Sequence, residues 1–220
     1  LPSSLTSIGD YAFQSCAWIT SLTFPSSLTS LGSYAFYSCI RLSSISLPEG
    51  VTEINAWTFG NCTSLVSVSL PSTLTRIGAD AFYQCNKIAS LTLPASLLTI
   101  ESYAFAYCSL LTSMTLPSSL TSLGEYAFNA CSGLTEVTIE GSLTSLATYT
   151  FYNCTSLTSV TLPNTLTSIG PTAFYRCTSL ASITIPSSVN TLGSGAFYQC
   201  TSLTEITLPS SLTSIPQQLF

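Results

Sequence analysis

The chain has 220 residues, of which 46% are hydrophobic, so a sizeable core can be buried. Only 6% are charged, where about 25% is usual, so Ser and Thr must supply most of the wetted surface. The net charge is −5 and the four bases, Arg41, Arg76, Lys87 and Arg176, are scattered. That excludes a counterion-displacing nucleic-acid interface and disfavours an anionic membrane surface. No apolar run approaches the roughly 20 residues a membrane-spanning helix needs.

Internal repetition organises the rest. Cysteine stands at 16, 39, 62, 85, 108, 131, 154, 177 and 200, always 23 residues apart. Phenylalanine holds the same spacing from Phe13 to Phe220, and proline does so from Pro2 to Pro209 with Glu140 as the exception. No insertion breaks the register, which predicts one uninterrupted array over 1–220, nine full repeats and a partial tenth. The chain opens at Leu1-Pro2-Ser3-Ser4 partway through a repeat and closes partway through another at Phe220. A longer parent protein is therefore expected, with flanking sequence or another molecule covering the exposed core at each end.

Along one repeat, Ser21-Leu22-Thr23-Phe24 alternates polar and apolar, the pattern of a half-buried strand, and Pro25 ends it for want of an N–H. Leu28 and Leu31 form a second inward pair, and Gly32 is expected to take a positive φ. Ala35, Phe36, Cys39 and Leu42 then fall at spacings that predict a short helical or 3₁₀ turn with one buried face. Stacked repeats give one continuous parallel sheet with rungs centred on Leu22, Ile45, Val68, Leu91, Met114, Val137, Val160, Ile183 and Ile206. The expected class is an α/β-type repeat solenoid with strands on the concave side and helical turns on the convex side.

Leu42-Ser-Ser-Ile45-Ser-Leu47-Pro48 and Leu157-Thr-Ser-Val160-Thr-Leu162-Pro163 fit the leucine-rich pattern L-x-x-L-x-L. The run Ile185-Pro186 through Gly193 to Ala196-Phe197 and Cys200 resembles the BspA-like, or treponemal-type, leucine-rich repeat, and the likeness covers the whole chain. The resemblance implies an extracellular or cell-surface protein that attaches to host matrix proteins or to other cells. Departures are mild. Asn55, Glu101, Ala147 and Pro216 replace the glycine, Thr58, Thr150 and Leu219 replace the alanine, and Glu140-Gly141 replaces Pro-Ser, all of which predict local loop changes.

Chemistry is hard to build from these residues. Without histidine, Ser-His and Cys-His nucleophile pairs are excluded, and the carboxylates are scattered with no close pair in the repeat register. An enzyme is not expected, nor is a cofactor. The cysteines lack the short C-x-x-C spacing of zinc sites and sit beside Phe at an inward position, so buried free thiols are expected with no metal.

Recognition is the remaining role, and several surfaces are candidates for it. The Ser/Thr strand face is expected to bind a protein or glycan, centred on Thr92, Thr115, Glu136 and Thr138. A second surface joins the variable column Trp18, Arg41 and Lys87 to the aromatic column Tyr34, Trp57, Tyr103 and Tyr126. Self-association through the solenoid ends or the tyrosine columns is the alternative, a structural filament or layer. A Thr array of the ice-binding kind is a minor one. Asn61-Cys-Thr63 and Asn153-Cys-Thr155 have the form of N-glycosylation sites, although the repeat junction alone generates them.

Overall fold

A computed structural model describes residues 1–220. Each repeat makes one turn of a coil with three sides, and 59 buried apolar residues form one core along the axis. The first side carries the expected rungs, Ser44–Ser46, Ser67–Ser69, Ser113–Leu116, Glu136–Ile139, Ser159–Thr161, Ser182–Thr184 and Glu205–Thr207, all parallel and in register at the 23-residue spacing. Ser21 joins only through a single bridge to Ser44. Between Ser90 and Thr92 there is no strand, and the pairing also lapses between Ser159–Thr161 and Ser182–Thr184, so the predicted continuous sheet is broken into three parts.

A second parallel ladder, missing from the sequence reading, follows the proline corner. Its two-residue rungs run from Ser7–Ile8 to Thr191–Leu192 and bury Ile8, Leu31, Ile54, Ile77, Ile100, Leu123, Leu146, Ile169 and Leu192. It breaks twice, after Ser30–Leu31 and after Ser122–Leu123.

Hydroxyl groups reinforce many of the ties between repeats. On the first side Ser43, Thr112, Thr135 and Thr158 each donate a side-chain O–H to the carbonyl one repeat earlier, at 2.9 to 3.1 Å. Alanine fills that column at Ala89 and Ala181, where neither side-chain nor backbone donation to the preceding repeat occurs, and both breaks fall there; Val66 also lacks a hydroxyl, but its N–H donates to the Ser43 carbonyl and that rung holds. On the second side Ser27, Ser96, Ser119, Ser188 and Ser211 donate to the carbonyl 22 residues earlier. That tie is absent at Gly50 and at Ser142, which follows the irregular Glu140-Gly141, and the second ladder breaks at both; Thr73 donates instead to the Glu49 carbonyl and its rung holds. Each hydroxyl–carbonyl bond adds about 1 kcal/mol net to the tie between repeats.

The third side contradicts the expected helical turns: no helix of any kind forms there. Ala35, Phe36, Cys39 and Leu42 are buried as expected, but the backbone around them is left-handed at Tyr34 (φ 57°) and Ser38 (φ 59°). The N–H groups of Tyr34, Phe36 and Ser38 donate across the interface to Ala56, Thr58 and Gly60 of the next repeat at 2.9 to 3.0 Å. A helix would spend those donors within its own turn; here they bind the repeats together. The left-handed positions recur along the chain in 18 non-glycine residues, among them Trp57, Tyr103, Tyr126, Ala130 and Thr172. Each costs about 1–2 kcal/mol, repaid by the bonds it aims at its neighbour.

Glycine plays a different part from the one expected of it. Gly32 has no positive φ; a Cβ there would lie 2.3 Å from the Asp10 backbone nitrogen, so close stacking of repeats requires the missing side chain. Two of the four residues that replace this glycine bring polar caps. Asn55 donates to the Leu31 carbonyl at 2.7 Å, and Glu101 accepts from Ala79 N–H at 2.9 Å while pairing with Arg76 at 2.8 Å.

Inside, Phe13 to Phe197 form one stack with ring centroids 5.1 to 5.6 Å apart, continued to Phe220 at 6.3 Å. All nine cysteines are free, and eight are buried. Each thiol from Cys39 to Cys200 donates to the carbonyl of the Phe 26 residues earlier, at 3.1 to 3.3 Å. Burial pushes the thiols up, to about 11 at Cys39 and about 12 at Cys85 and Cys131. A thiol reagent at mildly alkaline pH is expected to modify Cys16 alone at an appreciable rate in the folded protein and all nine in denaturant without reductant. Four disulfides would refute this.

Thr172 combines a left-handed φ of 52° with a buried hydroxyl that has no partner. Glycine occupies the same column one repeat later at Gly195, φ 65°. Thr172→Gly is expected to raise stability by about 1 kcal/mol, the relief of strain and of the unpaired hydroxyl exceeding glycine's entropy cost. Equilibrium denaturation measures it.

Candidate recognition surfaces

The strand face is not uniform. Its break at repeat four leaves the N–H groups of Ala89, Ser90, Leu91, Thr92 and Leu93 with no backbone acceptor. A cavity opens on each side of that bare rung. One of about 370 Å³ is bounded by Thr92, Thr115, Ser113 and Glu140, and one of about 530 Å³ by Thr92, Ser67, Ser69 and Glu49. Thr92 therefore belongs to both cavities and Thr115 to one, whereas Glu136 and Thr138 lie on the neighbouring rung, paired with Ser113 and Thr115, and line neither. Glu49 and Glu140 at the rims were not singled out from the sequence, although Glu140 was visible there as the single break in the proline column. Both rims are acidic, and no Lys or Arg lines either cavity.

The variable column is only partly assembled. Trp18 is 82% exposed and the Arg41 guanidinium carbon lies 5.2 Å over its ring. Lys87 is exposed two repeats further on, with Ser64 between, so it is not part of that pair. The aromatic column, by contrast, is stacked on itself. Tyr34 lies 4.9 Å from Tyr11 and 5.7 Å from Trp57, and Tyr126 lies 4.5 Å from Tyr103 and 4.3 Å from Tyr149. Their faces cover one another and leave edges and hydroxyls to the solvent. Asn61 of the first glycosylation motif donates to Ser38 Oγ at 2.9 Å, whereas Asn153 of the second lines a tyrosine-walled cavity.

Asp80 interrupts the aromatic column between Trp57 and Tyr103. Burial lifts its carboxyl from 3.8 to about 6, and its charge in turn helps raise Tyr34, Tyr83 and Tyr103. Glu53, Arg76 and Glu101 form the one ion-paired cluster, on the second side. No three His, Cys, Asp or Glu side chains come together as a metal site, and no helix is long and apolar enough to cross a membrane.

The 23-residue coil, its parallel ladders and its inward Leu, Phe and Cys columns define a leucine-rich-repeat solenoid. The BspA type leucine rich repeat region matches residues 1–112 and 98–220, and the chain belongs to that family. Among solved structures it resembles the leucine rich repeat protein of T. pallidum, with 26% identity over 90% of this chain and 83% of that one and a TM-score of 0.72. It also resembles a leucine rich cell surface protein of Faecalibacterium prausnitzii, with 28% identity over 98% and 71% of the two chains and a TM-score of 0.53. The pneumococcal vaccine antigen PcpA shares the fold alone, at 21% identity over 97% and 70% and a TM-score of 0.50. Comparison with curated protein sequences finds no match.

A carboxyl whose pKa is raised on folding favours the fold while protonated. Asp80's contribution is therefore complete below about 3.8 and lost as pH rises through about 6. Asp80→Asn, which also tolerates the left-handed φ of 56°, is expected to raise the thermal midpoint at neutral pH and to flatten its decline across that window. A thermal-melt series against pH reads both.

Proposed function

We propose that this chain is a non-catalytic binding module that attaches to a protein or glycan at a cell surface through its strand face. The observation that carries the reading is the bare rung at Ser90–Thr92, where unpaired backbone donors lie between two cavities on an otherwise regular surface. Unsatisfied backbone groups in a recess are hydrogen-bonding capacity that the fold itself leaves unspent. Membership of the BspA-type family and the likeness to a protein described as a cell surface protein support an extracellular or cell-surface setting.

Thr92 and Thr115 are the anchors of this reading, with Glu136 and Thr138 extending the face. The acidic rims favour a neutral or basic partner surface over an anionic one. A largely uncharged contact should associate without strong steering and with weak salt dependence. Modest affinity per site is then compensated by many copies on one surface.

Attachment of the labelled chain to host cells and to a panel of immobilised matrix proteins tests the reading. Replacing Thr92 and Thr115 together by Arg is expected to lower attachment by at least about tenfold while stability stays within about 0.5 kcal/mol, since both side chains are exposed. Attachment that survives those changes but is lost on altering Tyr11 and Tyr34 would replace this reading with self-assembly through the aromatic columns.

A further inference from the structure

The second aromatic column runs Tyr37, Gly60, Tyr83, Ala106, Asn129, Tyr152, Tyr175 and Tyr198, one residue per repeat. Tyr152 stacks on Tyr175 at 4.8 Å with planes 2° apart, and Tyr175 meets Tyr198 at 5.6 Å with a 38° tilt, so consecutive rings of this column pack on one another. Three rungs lack a ring, and the protein treats them differently. At Gly60 the gap is filled from within, because Trp57 swings its ring between Tyr37 (5.5 Å) and Tyr83 (5.2 Å). A Cβ on Gly60 would lie 2.7 Å from that ring, so the space is spent. At Ala106 the ring of Tyr107 turns edge-on to Tyr83 at 5.4 Å and occupies the vacancy. At Asn129 nothing enters.

What remains is a cavity of about 400 Å³, walled by Tyr107 and Tyr152, floored by the Tyr103–Tyr126–Tyr149 stack, with Asn129 inside it. Tyr107 and Tyr152 stand two repeats apart, about 10 Å at ladder spacing, which leaves room for one ring between them. No ring of its own column meets Tyr152 on the Asn129 side, and Tyr149 of the floor meets it edge-to-face at 5.5 Å. Asn129 is only 6% exposed, and its carboxamide makes no hydrogen bond within the protein. It offers one acceptor and two donors to whatever enters. No charged residue lines the cavity.

The geometry points to a carbohydrate subsite on the turn face, seating one neutral pyranose ring flat on Tyr152 with adjacent hydroxyls bonded to the Asn129 carboxamide. The C–H face of a pyranose carries partial positive charge and matches the negative π face of a tyrosine. Vicinal hydroxyls supply the donor and acceptor pair that an unpartnered amide lacks, and the tyrosine hydroxyls at the floor extend the same hydrogen bonding. An aromatic side chain would satisfy the stack but leave the carboxamide unpaired, at a cost of about 1–3 kcal/mol. The subsite lies on a different side of the coil from the bare rung at Ser90–Thr92 and does not rest on it.

Saturation-transfer NMR on the intact chain tests the subsite, with the methyl β-glycosides of glucose, galactose and N-acetylglucosamine as probes and phenol as the aromatic competitor. At least one glycoside is expected to give a signal from its C–H face. Asn129→Leu is expected to weaken it about tenfold by removing the amide bonds. Asn129→Tyr restores the ladder's own residue, so the variant should fold at least as stably as the parent and lose the signal entirely. Signals from phenol alone, signals from none of the probes, or glycoside binding that persists in Asn129→Tyr would each overturn the assignment. The attachment assay with Thr92 and Thr115 replaced leaves this site intact, so the two proposals fail independently.

Discussion

Backbone groups in this molecule find most of their partners one repeat away, and that constraint shapes every side of the coil. On two sides the result is a parallel ladder. On the third it is a run of left-handed residues whose N–H groups point along the axis, as Tyr34, Phe36 and Ser38 do toward Ala56, Thr58 and Gly60. No repeat could keep these groups satisfied alone, so stability is shared between neighbours. The buried columns obey the same rule. Phe stacks on Phe, and each cysteine thiol ties its repeat to the Phe carbonyl of the one before.

Because the ties are so regular, single substitutions register as local faults. Ala89 and Ala181 remove a hydroxyl donor from the first ladder; Gly50 and the Glu140-Gly141-Ser142 segment do so for the second. In each ladder the two faults lie four repeats apart, and Asn55 and Ala147, Thr58 and Thr150, and Asn61 and Asn153 share that spacing. The array thus carries a coarser four-repeat period over the 23-residue one. Faults also leave space. The cavities beside Ser90–Thr92 and the slot at Asn129 both lie where a column loses its usual residue, so departures from the repeat are where space opens on the surface.

Much of this was legible in the residues. The 23-residue period, the inward columns, the buried free thiols and the polar strand face followed from spacing and alternation. The helical turn did not form, because Ala, Phe and Cys spacing specifies which side chains point inward and says nothing of the sign of φ at Tyr34 or Ser38. Short two-residue rungs such as Ser30–Leu31 are too brief for alternation to reveal, which hid the second ladder. Thr92 and Thr115 were chosen for their column and lie at a cavity. The bare rung beneath them begins at Ala89, whose N–H donates to no earlier repeat, a fault that its side chain alone does not announce. Asn129 was equally visible as a gap in a tyrosine column, but only the filled gap at Gly60 shows that an empty one is informative.

Residue-resolved amide hydrogen exchange by NMR tests the central claim most directly. Bonds between repeats predict that Tyr34, Phe36 and Ser38, outside any strand or helix, exchange as slowly as Val137 in the middle of the first ladder, while Ala89 and Ala181 exchange fast. Fast exchange at the first three, or a contiguous protected stretch from Ala35 to Leu42 of the kind a helix gives, would contradict it.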